Sequence, residues 1–112
     1  MAKYLVQVAY TSEAWALPGR GPHNVMERVQ SSAEALGGLI ESLYFCFGDY
    51  DLLGIVDFPD PRGVASWSMA VSGGGDVRAF KTTTLLSVEE GLQALGRASQ
   101  VARDQRSLNK PA

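Results

Sequence analysis

At 112 residues the chain has the length of a single domain that buries one core without staples, and its 46% hydrophobic and 20% charged residues exclude a disordered polymer. A formal net charge of -2, with Arg and Lys scattered rather than striped, gives no electrostatic footprint for nucleic acid. The apolar runs are too short for a membrane span, the start Met1-Ala2-Lys3 has no signal-peptide anatomy, and a lone Cys46 fits a reducing compartment, so a cytoplasmic protein is expected.

Tyr4 to Tyr10 is rich in β-branched and aromatic residues and has the length of one strand. Thr11 to Pro22 is expected as a long loop, in which Ser12 can cap a short helical turn but Pro18, Gly19 and Gly21 prevent a long one. From Asn24, the apolar residues Val25, Val29, Ala33 and Leu36 recur at helical spacing and Gly37 supplies the stop. Leu39 to Phe47 and Leu52 to Phe58 read as two strands joined by the tight turn Gly48-Asp49-Tyr50-Asp51.

Asp60 as N-cap and Pro61 at the first helical position open a second helix, with Val64, Trp67 and Val71 on one side before Gly73-Gly74-Gly75. Val77 to Leu86 is the fourth strand. Ser87 and Glu90 have capping-box spacing and open a third helix with Leu92, Leu95 and Ala98 on one face. Arg103 to Ala112 is polar and expected to fray, which sets a domain over residues 1–102 and a tail over 103–112. The order is the split βαβ arrangement: an α+β, ferredoxin-like βαββαβ fold with an added C-terminal helix.

Pairing Gly48 with Asp51 assigns faces by parity. Leu43, Phe45, Phe47, Leu52, Val56 and Phe58 fall on one face, under the helices, together with Tyr4, Val6, Val8 and Tyr10 of the first strand. Ile40, Ser42, Tyr44, Cys46, Leu53, Ile55 and Asp57 fall on the other with Leu5, Gln7 and Ala9. Two helices cover one face only, so the second, mostly apolar face predicts a homodimer packed sheet to sheet. A monomer whose loop and last helix fold back over the sheet is the competing possibility.

Several of these segments together resemble the GYD domain family. They are Tyr4-Leu5-Val6 with Thr11 and Glu13, Leu36-Gly37-Gly38, the hairpin Gly48-Asp49-Tyr50-Asp51, Pro59-Asp60, and Thr82 to Ser87 with Glu89-Glu90. In this chain Asp49 stands between the glycine and the tyrosine, and Arg20 to His23 departs from the family pattern. The resemblance implies a dimeric α+β barrel of ferredoxin-like halves and fixes no function, since related barrels include monooxygenases, isomerases, decarboxylases and binding proteins.

Candidate chemistry rests on few residues. His23 is the one side chain that ordinarily titrates near neutrality and is a proton-transfer candidate, unless it is a solvated residue at a helix start. Asp57 on the mixed face, with Ser42, Tyr44 and Cys46, is a second candidate if buried, or the partner of an Arg or Lys. Trp15 is either a lid or a core plug, while Tyr50 and Asp51 either meet a ligand or shape the turn. Trp15, Tyr44, Tyr50 and Asp51 are the candidate ligand contacts. With one His and one Cys, no metal and no cofactor are expected. Two functions compete: a noncatalytic dimer binding a small apolar or aromatic molecule or a protein partner, and a cofactor-free enzyme, of monooxygenase or isomerase type, moving protons in an apolar pocket.

Overall fold

The computed structural model describes residues 2–16 and 22–109. In chain order the elements are β1 (Ala2–Tyr10), α1 (Ser12–Ala16), α2 (Pro22–Ala35), β2 (Leu39–Phe45), β3 (Leu52–Phe58), α3 (Pro61–Ser72), β4 (Val77–Leu85) and α4 (Val88–Asn109). The strands form one antiparallel sheet in the order β2-β3-β1-β4, the ferredoxin-like topology, with α4 added.

Local chemistry sets the boundaries. Thr11, rather than Ser12, caps α1, its Oγ1 accepting from the Ala14 amide at 3.2 Å. α2 ends in a Schellman closure, with Gly37 at φ +81° and the Gly38 amide donating to Ala33 O at 2.8 Å. Asp60 caps α3 as expected, its Oδ1 accepting from the amides of Arg62 and Gly63 at 2.8 and 3.1 Å. α4 runs to Asn109, through most of the segment expected as a polar tail; Gln100, one turn before it, bridges Arg103 and Asp104.

One face of the sheet carries the core. Tyr4, Val6, Val8, Tyr10, Leu52, Val56 and Phe58 are buried against Val25, Val29 and Ala33 of α2 and Val64, Trp67 and Val71 of α3. Trp67 is the keystone: fully buried, its indole N–H donates to Val29 O and Ser32 Oγ, both at 3.1 Å, and its ring meets Phe58 and Phe80 at 5.4 and 5.3 Å. Gly54 leaves the space that Leu43 occupies, since a Cβ there would lie 2.8 Å from Ser42 O and 2.9 Å from Leu43 Cδ1.

The hairpin differs from its expected form in a way that preserves most faces. β2 stops at Phe45, which pairs with Leu52, so the connection is residues 46–51 and the register is offset by two from a Gly48–Asp51 turn. An offset of two keeps parity, and Leu43 lies over Gly54 on the helix face as expected. Phe47, expected under the helices, is instead 99% exposed in the connection, and Phe45 is half exposed at the sheet's end. A bulge between Ile40 and Ser42 turns Ile40 to the helix face opposite Val56, where it packs on the core, correcting its placement on the mixed face. Cys46 also leaves that face, because it lies beyond the strand.

Candidate functional site

The hairpin end of the sheet gathers Trp15, Phe45 and Phe47, three aromatic residues that the core does not absorb. β1 delivers Tyr10 and, one turn later, α1 presents Trp15 edge-on to it with ring centroids 5.4 Å apart. From the other side the hairpin brings Phe45, Cys46 and Phe47. Trp15 and these three residues line an apolar recess of about 240 Å³. Trp15 and Phe45 are 53% and 54% exposed around it, an unusual concentration of wet aromatic surface for so small a chain.

Asp51 is what holds the hairpin in that position. Its backbone amide donates to Val8 O at 2.8 Å, its carbonyl accepts from the Cys46 amide at 2.9 Å, and its Oδ2 accepts from the Tyr10 amide at 2.8 Å. The carboxylate thus satisfies the last β1 donor just where the β1–β4 register slips between Ala9 and Tyr10. Cys46 Sγ donates to Tyr50 O at 3.3 Å and closes the loop from within.

Tyr10, not singled out from sequence as a site residue, carries the oddity of this end. Its side chain is buried and its hydroxyl has no hydrogen-bond partner among the described residues. Burial, with added repulsion from Asp51 and Cys46, pushes the phenol up to about 12. Parity alone places Tyr10 under the helices; nothing local to Tyr10 foretells the missing partner.

The other candidates do not converge here. Tyr50 faces a separate polar hollow of about 370 Å³ with Gly48, Asp49, Arg78 and Ala79, across which Arg78 Nη2 donates to Asp49 O at 3.3 Å. Tyr44 is 63% exposed on the outer face, opposite Leu53. Asp57 shares that face but stands four residues farther along β3, about 13 Å at the rise of a strand. Lys3 bridges it to Glu41, at 3.1 Å from Asp57 Oδ1 and 2.7 Å from Glu41 Oε2, and these carboxylates raise the Lys3 pKa. His23 lies in the first turn of α2, and its side chain is outside the described residues. No cluster of three potential metal ligands occurs among the described residues. An ion pair that sequence did not flag, from the half-exposed Arg28 Nη1 to the buried Asp76 Oδ2 at 3.1 Å, ties α2 to the start of β4.

The GYD domain family model matches residues 4–95, and the chain belongs to that family. Among solved structures, FFRP-DM1 is similar with a TM-score of 0.56 at 15% identity, covering 77% of this chain and all of that one. The C-terminal domain of the MgtC protein from Mycobacterium tuberculosis has a TM-score of 0.59 at 13% identity, over 76% of this chain and 88% of its own. Hypothetical protein PHS023 from Pyrococcus horikoshii gives 0.55 at 13% identity, over 78% and 92%. At these identities the likeness is one of fold. None of the curated proteins compared with the chain matches it, and no described helix is long and apolar enough to cross a membrane.

Proposed function

We propose that the chain is a noncatalytic binding protein of the cytoplasm, working as a symmetric pair, that takes a small apolar molecule of aromatic size in the recess between α1 and the hairpin. The observation that carries the reading is the recess itself: three aromatic side chains facing one hollow, with exposed edges that a core would have enclosed. Against a proton-transfer enzyme, Cys46 is the one titratable side chain among the described residues lining that hollow, and the Asp51 and Asp57 carboxylates are engaged elsewhere. The pair is supported by the outer sheet face, where Leu5, Leu53, Ile55 and Tyr44 lie under no described helix.

The two indole N–H groups make the test direct, because Trp67 is buried and bonded while Trp15 is exposed. Titration with acetophenone, followed by ¹H–¹⁵N spectra, is expected to shift the Trp15 indole signal saturably and leave Trp67 in place. Phe47→Ala, at a position too exposed to disturb the fold, is expected to weaken binding about tenfold, the worth of one aromatic contact. A linear, non-saturating shift, or equal affinity in Phe47→Ala, refutes the recess as the site.

A further inference from the structure

α4 has the local features of a stable amphipathic helix and none of the packing. Ser87 and Glu90 close a capping box, each accepting from the other's backbone amide at 3.0 Å, and the Ser87 hydrogen bonds hold the Glu90 carboxyl below its usual range. Yet Val88, Leu92 and Leu95, which share one side at helical spacing, and Val101 and Leu108, on the opposite side, are 57% to 81% exposed, and no other described element packs along the helix. The extents of 71 × 26 × 22 Å record a helix that leaves the body; its 22 residues span about 33 Å. Gly91 and Gly96 lie inside it with open space where a Cβ would stand. Two interior glycines weaken a lone helix, and helices in proteins depend on burying an apolar face.

The body has the complementary deficit. Four strands at about 4.8 Å spacing and about 3.3 Å per residue give the outer sheet face a flat footprint on the order of 500 Å², part of it charged, so that the roughly 800 Å² of accessible surface per partner of a stable pair is reached with little margin by this face alone. A two-fold axis uses every patch twice, so a helix reaching across it adds its stripe to both sides of the interface.

We infer that α4 is an arm exchanged between two copies of this chain, its Leu92 and Leu95 side lying along the margin of the partner's sheet; the exchange presupposes the symmetric pair proposed above. The measurement is an isotope-filtered NOE spectrum on full-length chains, half ¹³C-labelled and half unlabelled, with sedimentation equilibrium on the same sample. Expected are contacts from the labelled Leu92 and Leu95 methyls to sheet residues of the unlabelled copy, and a dimer whose Kd rises at least a hundredfold in Leu92→Asp/Leu95→Asp. These positions touch no core, so circular dichroism of the double variant keeps the wild-type sheet signal. A 12 kDa species for the wild type sinks the pair and the exchange together. A dimer in which those methyls contact only their own chain, or only the other α4, sinks the exchange and leaves the pair standing.

Discussion

The two faces of the sheet are built from similar residues and treated in opposite ways. Toward α2 and α3, Leu52, Val56, Phe58, Val6 and Val8 are enclosed to the last few per cent of their surface, with Gly54 shaped to Leu43. Toward the outside, Leu5, Leu53 and Ile55 from the same strands stay partly open beside Ser42 and the Lys3–Asp57 ion pair. Composition is therefore a poor guide to what a face does; the polar groups interleaved with the apolar ones distinguish the face that the helices leave open from the face that they close.

The largest test of that contrast is Trp67→Ala. Removing a fully buried indole that bridges α2, β3 and β4 is expected to cost about 4 kcal/mol, from lost burial and an unfilled cavity. Urea unfolding followed by circular dichroism measures it, and the loss is expected to be independent of protein concentration. Leu53→Ala on the opposite face is expected to show a loss that is full where the wild type is paired and shrinks as the protein is diluted below its pairing concentration. Equal, concentration-independent losses for the two variants would erase the distinction between the faces.

Tyr10→Phe probes the one place where the enclosed face is imperfect. Its hydroxyl is buried without a described partner, so deleting it is expected to stabilise the fold by about 1 kcal/mol. Burial pushes the folded phenol from 10.0 up to about 12, so the fold favours the neutral phenol: wild-type stability holds below about pH 10 and falls as the pH rises towards 12, by up to roughly 3 kcal/mol. Unfolding midpoints at pH 8 and pH 11 are expected to fall less in the variant than in the wild type. A destabilised variant at pH 8 means the hydroxyl has a partner after all.

Much of the fold is legible in the sequence because its determinants are local. Asp60-Pro61, Gly37 and Ser87/Glu90 each mark a helix end by chemistry confined to a few residues, and alternation sorts the side chains of β3 and of β1 up to Val8, whereas Ala9, expected on the open face, is fully buried where the β1–β4 register slips. The hairpin is only half legible. Parity survives an offset of two, but the length of the 46–51 connection is set by Asp51 bonding to Val8 and Tyr10, far away in sequence. The Glu41 bulge that turns Ile40 inward leaves no mark that periodicity detects. At the site, Trp15 and the hairpin aromatics are visible as residue types, whereas their meeting around one recess depends on where α1 and the hairpin come to rest. The separation of Asp57 from that recess likewise follows from register.

The smallest effect belongs to the outer face's polar corner. Lys3 sits half exposed between Glu41 and Asp57, where solvent weakens each attraction and two flexible chains must be held in place. Lys3→Met removes the cation while keeping an unbranched side chain, and is expected to move the urea midpoint less than any of the three variants above. The direction follows from the raised Lys3 pKa: the stabilisation is present below about pH 10.5 and is lost as the pH climbs through the folded value. Whatever difference exists at pH 7 is expected to vanish in about 1 M NaCl, where the screening length falls to about 3 Å. A large, salt-resistant loss would instead place the cluster in a desolvated interface, and so show that the outer face is closed even over its charged corner.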